Sequence, residues 1–139
     1  MAKHCETFEH TADIGLAARG DTLGELFEAL AEGLADLICS REQVSVQETR
    51  PVEVQAEDVE ALCVDFLVEV MTAIQVDRFL VAEVRAGAVS GRCVRADLAG
   101  EPYDPDRHEW GHEVKAVTYH QLQVAREGDA WVGRVIVDV

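Results

Sequence analysis

The sequence predicts an α+β fold: a two-layer sandwich with two amphipathic helices packed on a largely antiparallel or mixed β-sheet of about seven strands. Three observations predict it. Two stretches repeat their apolar residues at helical spacing, several shorter ones alternate polar with apolar, and no Pro/Gly/Ser-rich linker, repeat or low-complexity tract divides the 139 residues. Residues 1–139 are therefore taken as one domain. A chain of this length buries about two thirds of its unfolded surface, enough for a core without disulfide or metal staples.

In order, residues 4–10 and 14–20 read as two short extended pieces around the turn His10-Thr11-Ala12-Asp13. Thr22-Leu-Gly-Glu25 has capping-box spacing, and Leu23, Leu26, Phe27, Leu30, Leu34, Leu37 and Ile38 follow on one stripe, which predicts a helix over 22–39. Residues 44–57 alternate and contain Pro51, which suits strands near an edge or a break between two pieces. Asp58 is the N-cap of a second helix, with Leu62, Phe66, Leu67, Val70, Met71 and Ile74 inward and Glu60, Asp65 and Glu69 outward.

Residues 79–86 and 89–98 form the next strand pair, joined near Gly87. The stretch 100–108 contains two prolines and is expected to be irregular, unable to continue a central strand. A long hairpin closes the chain, with residues 114–126 and 130–139 flanking the turn Glu127-Gly128-Asp129. The period of two in its last strand puts Val132, Arg134, Ile136 and Asp138 on one face.

Twelve Lys and Arg face 27 Asp and Glu, a formal charge of −15. Nucleic-acid affinity rests on basic side chains displacing counterions, so direct nucleic-acid binding is not expected, whereas basic partners are attracted. No apolar run reaches the roughly 18 to 20 residues of a membrane span, and the start lacks the apolar core of a signal peptide. No membrane association and a cytoplasmic address are the expectation. Cys5, Cys39, Cys63 and Cys93 are dispersed without a CxxC pair, which suits reduced, mostly buried thiols.

Few residues carry chemistry. Asp138 closes a strongly apolar strand and needs solvent, a partner or a cation there; alone it reads as a solvated terminus. Asp13 alone reads as a turn former capping backbone N–H groups. His108 and His112 have an H-x3-H interval, but in a proline-containing segment without paired cysteines it is a weak zinc signal. His120, on the Val114/Ala116/Thr118/Leu122 face, reads as a half-buried strand histidine, and His10 similarly as structural. No GxSxG elbow, P-loop or dinucleotide-binding glycine turn is present. The residues by themselves lead to an acidic, non-enzymatic globular domain with room for an oxygen-ligand cation site.

Six blocks narrow this further: Glu9-His-Thr-Ala-Asp-Ile-Gly15, Thr22-Leu-Gly-Glu-Leu-Phe27, Leu62-Cys-Val-Asp-Phe-Leu67, Gly100-Glu-Pro-Tyr-Asp104, Glu113-Val-Lys-Ala-Val-Thr-Tyr-His120 and Val137-Asp-Val139. In this order they resemble the archease family. The Asn-Glu usual after the second-helix block stands here as Val68-Glu69.

The resemblance implies a protein cofactor of an RtcB-type RNA ligase, one that promotes guanylylation and multiple turnover of the ligase in tRNA splicing and RNA repair without joining RNA itself. It implies a divalent cation, Ca2+ before Mg2+, held by Asp13, Asp138 and a main-chain or terminal oxygen of Val139. Lys115 becomes a candidate partner contact, against its default as a solvated strand charge. Two rival functions are a stand-alone metal-dependent phosphoesterase and a general chaperone for basic nucleic-acid enzymes.

Overall fold

The computed structural model describes residues 3–10 and 13–139, with Glu9 and His10 described in their backbone alone. The elements run β1 (His4–His10), β2 (Asp13–Gly20), α1 (Leu23–Ile38), a single-turn helix (Arg41–Gln43), β3 (Glu48–Gln55), α2 (Val59–Gln75), β4 (Phe79–Val89), β5 (Cys93–Pro102), β6 (Ala116–Val117), β7 (Gln123–Glu127) and β8 (Ala130–Asp138). The turn expected at residues 10–13 falls on Thr11 and Ala12, outside the described residues.

Both helices begin where their capping residues stand. The Thr22 hydroxyl accepts the Glu25 N–H at 3.1 Å, and the Glu25 carboxylate reaches back to the Asp21 N–H at 2.8 Å. The Asp58 carboxylate accepts the Ala61 N–H at 2.8 Å. Phe27 and Phe66 stack with ring centroids 5.6 Å apart and join the helices in the core. Leu16 and Val135 belong to the same core and are fully buried, so the inner faces of β2 and β8 pack on it. Glu60, Asp65 and Glu69 lie on the solvent side of α2.

The α+β class is as expected, but the strand layer is divided. Among the described residues eight strands form two sheets, one ordered β1-β2-β8-β6 with β7 also on β8, the other ordered β3-β5-β4, and each pairing is antiparallel. A side-chain clasp explains the division. Glu28 and Glu32, one turn apart on α1, accept the N–H groups of Ala86 at 2.7 Å and Val84 at 3.0 Å, while Arg41 donates to the Ala82 carbonyl at 2.9 Å. The outer edge of β4 thereby spends its hydrogen bonds on α1 and the single-turn helix instead of on another strand.

Three local expectations are corrected. β4 does not turn at Gly87; it bulges between Ala86 and Val89 and continues, and the hairpin closes where Ser90 N–H meets Cys93 O at 2.8 Å. β5 does continue as the central strand through Gly100 and Pro102. Pro102 pairs only at the strand's last position, opposite Phe79, and a Cβ at residue 100 would lie 1.8 Å from the Leu80 carbonyl oxygen, a closeness only glycine permits.

The strand expected over 114–126 breaks in two. Thr118 commits both its N–H (3.0 Å) and its hydroxyl (2.8 Å) to the Ile136 carbonyl, and the chain then leaves the sheet through a turn whose Gln121 has φ +54°. His120 therefore lies exposed in that turn and not half-buried on a strand face. The turn at Gly128, with φ +64°, is where the sequence predicts it.

Pro51 stands in β3, an edge strand, as expected. The irregular segment 103–115 is tied down through its backbone. Gly111 and His112 N–H groups bond the Ile38 and Leu37 carbonyls at 2.7 Å each, closing the C-terminus of α1. The Gln75 side-chain amide grips the Val114 peptide twice, at 2.7 and 2.8 Å, in the manner of a strand partner. Among the described residues no helix is long and apolar enough to cross a membrane.

Candidate cation site

β2 lies between β1 and β8, so the first and last strands of the sequence are separated by a single strand. Its register sets Asp13 directly opposite Asp138, then Ile14 opposite Val137, Gly15 opposite Ile136 and Leu16 opposite Val135. Directly opposed residues project to one face with Cα atoms about 4.5–5.5 Å apart, so the two carboxylates share a face. The alternation aims Leu16 and Val135 at the helices and places both aspartates on the outward face, where each is half-buried.

A third strand completes the corner. Ala116 of β6 pairs with Asp138 from the other side, and the Lys115 N–H bonds the Asp138 carbonyl at 2.7 Å. Lys115 itself is exposed. Val139, the next residue, packs its side chain against the core. His10 pairs with Asp13 in the ladder, but its side chain lies outside the described residues.

Like charges directly opposite in a ladder repel, and neither aspartate makes a side-chain hydrogen bond or ion pair among the described residues. Two carboxylates and the main-chain oxygen of the next residue are hard donors, the chemistry that Ca2+ and Mg2+ prefer. Among the described residues no group of three or more His, Cys, Asp or Glu side chains converges on one point. The donor set therefore fits an open hard-cation site, in which a cation requiring about six to eight oxygens keeps most positions for water or a partner.

The other expected candidates lie elsewhere. His108 is buried and both its ring nitrogens are engaged: Nδ1 accepts the Asp104 N–H at 2.9 Å, and Nε2 lies 3.0 Å from Glu101 Oε2. His108 thus carries its hydrogen on Nε2 and has no lone pair left for a metal, while His112 is exposed. Burial pushes the Cys5 and Cys63 thiols up to about 12, so both are inert as thiolates.

Sequence reasoning missed two features. Glu101 is a buried carboxylate, held by Arg107, the Ser45 N–H and His108. Phe8 lies over Gly15, the residue one row from the aspartate pair, and Arg134 lies over Phe8. The signal for the second was the alternation that put Arg134 and Asp138 on one face, but it lacked the β1–β2 register that adds Phe8.

A sequence model described as the Archease protein family (MTH1598/TM1083) matches residues 5–139. The chain is 36% identical over 141 residues to protein archease of Pyrococcus abyssi, with 99% of each chain covered. It is 38% identical over 146 residues to protein archease of Methanosarcina acetivorans, covering 100% of this chain and 98% of that one. Among solved structures it is similar to protein 1598 of Methanobacterium thermoautotrophicum, with TM-score 0.81, 30% identity, and 97% and 98% of the two chains covered. A Thermotoga maritima crystal structure described as an archease, possible chaperone, shares the fold at TM-score 0.63 and 23% identity, with 96% of each chain covered. With a match that spans nearly all its residues and relatives well above 30% identity, the chain belongs to the archease family.

Proposed function

We propose that the protein is a non-enzymatic cofactor of an RtcB-type RNA ligase, promoting the ligase's guanylylation and multiple turnover in tRNA splicing and RNA repair. A divalent cation, Ca2+ before Mg2+, is held at Asp13, Asp138 and Val139. The observation that carries this reading is the directly opposed Asp13–Asp138 pair on an outward face, whose side chains make no hydrogen bond or ion pair among the described residues. Membership of the archease family is consistent with a protein partner in this reading. When bound, the cation supplies positive charge with open positions for oxygen ligands from a docked protein.

The charge of −15 supports docking at the basic, RNA-binding mouth of a ligase, because complementary fields raise the encounter rate and suppress wrong partners. The same charge repels phosphate substrates, which weighs against a stand-alone phosphoesterase. The description of the Thermotoga maritima structure as a possible chaperone favours a second reading, a general chaperone of basic nucleic-acid enzymes.

The test mixes the protein with a limiting amount of ligase, GTP and cleaved RNA, and follows label transferred from GTP to the ligase alongside joined product. Faster guanylylation and product in excess of ligase are expected. If neither rises while several basic enzymes are equally protected from aggregation, the chaperone reading replaces this one. Release of phosphate from a simple ester by the protein alone with Mn2+, Mg2+ or Ca2+ would replace it with the phosphoesterase.

A further inference from the structure

Gly15 lies beside the aspartate pair, with Phe8 as its ladder partner on β1 and Ile136 as its partner on β8. A Cβ on residue 15 would fall 2.0, 2.2 and 2.3 Å from three carbons at the far end of the Phe8 ring. The ring therefore rests in the space a side chain would occupy, across the strand that carries Asp13. Above it, the Arg134 guanidinium carbon is 4.2 Å from the ring centroid. Arg134 belongs to β8 and Phe8 to β1, so the stack spans all three strands and pins the outer strand over the middle one. Ile136 on this outward face is fully buried although it lies outside the main core.

We propose that Phe8, seated on Gly15 and pinned by Arg134, is a positioning residue for the cation site: it holds β2 flat against β8 at the mouth of the β1–β2 hairpin, so that the Asp13 and Asp138 carboxylates keep a common ligand distance. This rests on the cation site proposed above. The pair sits at the open end of the β2–β8 ladder, the place where a ladder frays most readily. Two mutually repelling carboxylates there favour fraying, and the aromatic brace one row inward opposes it.

The test uses the full chain and Ca2+ alone as probe, with affinity read by calorimetry. Phe8→Ala is expected to weaken Ca2+ binding about tenfold, the usual cost of losing an orienting neighbour of a metal ligand. Gly15→Ala, whose methyl displaces the ring, weakens it similarly, and the double variant is no weaker than either single one. Thr22→Ala, which removes a distant helix cap, leaves the affinity unchanged although it lowers the melting temperature. Arg134→Met gives a sign test: loss of a nearby positive charge by itself tightens cation binding, whereas loss of the brace weakens it, and weakening is expected.

Wild-type affinity in Phe8→Ala, or simple additivity of Phe8→Ala and Gly15→Ala, overturns the proposal. A wild-type protein that takes no Ca2+ refutes the cation site, and the brace is then judged by amide exchange. Phe8→Ala should speed exchange of the ladder amides near Asp13 and Asp138 at least about tenfold with β3–β5 unaffected. Unchanged protection there overturns the brace as well.

Discussion

His108 Nε2 lies 3.0 Å from Glu101 Oε2, with both side chains buried. The Arg107 guanidinium, with the Ser45 N–H and His108, holds the Glu101 carboxyl down from its ordinary 4.5 to about 2, against burial, which pushes it up. A carboxyl lowered in the folded state contributes stability that is complete above its unfolded pKa near 4.5 and is lost as pH falls towards 2.

Glu101→Gln is accordingly expected to destabilise the protein by about 2 kcal/mol at neutral pH, the scale of a buried hydrogen bond to a charged group. Urea denaturation at several pH values checks the sign. The gap between wild type and variant should be constant from pH 7 to about 5 and close steadily below 4.5. A gap that widens on acidification would contradict the assignment.

Glu32 makes a different prediction. Its carboxylate accepts the buried Val84 N–H and pairs with Lys3 at 3.2 Å and Arg41 at 3.7 Å. Glu32→Ala strands that N–H and should cost about 1–3 kcal/mol. It also uncovers the edge of β4, so size-exclusion chromatography should reveal more concentration-dependent association in the variant than in the wild type.

For the aspartate pair, divalent-free and Ca2+-loaded melts should move in opposite directions. Relief of like-charge repulsion makes Asp13→Asn or Asp138→Asn equal to or about 0.5 kcal/mol more stable than wild type in chelator. If the proposed cation site holds, Ca2+ at a hundredfold over its dissociation constant is expected to stabilise the wild type by about 2.7 kcal/mol and to leave the variants unmoved. If the proposed function holds, Asp13→Ala and Asp138→Ala are each expected to abolish stimulation of the ligase with an unchanged circular dichroism spectrum; full stimulation by the double variant would refute the metal site.

Lys115 supplies a backbone bond to Asp138, and its exposed ammonium is available to a partner. Lys115→Ala is expected to weaken ligase binding while Lys115→Arg, which keeps the charge, loses less. Unchanged affinity in both variants returns the residue to a structural part.

Much of the architecture was legible because it is local. Thr22 and Asp58 announce their helices through bonds to residues three positions on, and the leucine stripes follow from helical period alone. Gly128 needs only its own φ to mark a turn. The failures were equally particular. Pro102 breaks a strand on local grounds, yet here it stands at the ladder's end, where no N–H is missed. His120 read as part of a continuous strand because nothing nearby reveals that Thr118 spends two donors on Ile136.

The sequence by itself determined the helices, the α+β class, the acidic charge and, through its motif blocks, the family to which the chain belongs. Tertiary structure alone decided that Asp13 faces Asp138, that Phe8 fills the space Gly15 leaves, and that Glu28 and Glu32 divide the strands into two sheets. The physical reason is range. Propensity, period and capping act over a few residues, whereas strand register joins residues a whole chain apart and is set only when the core chooses which face of each strand to bury.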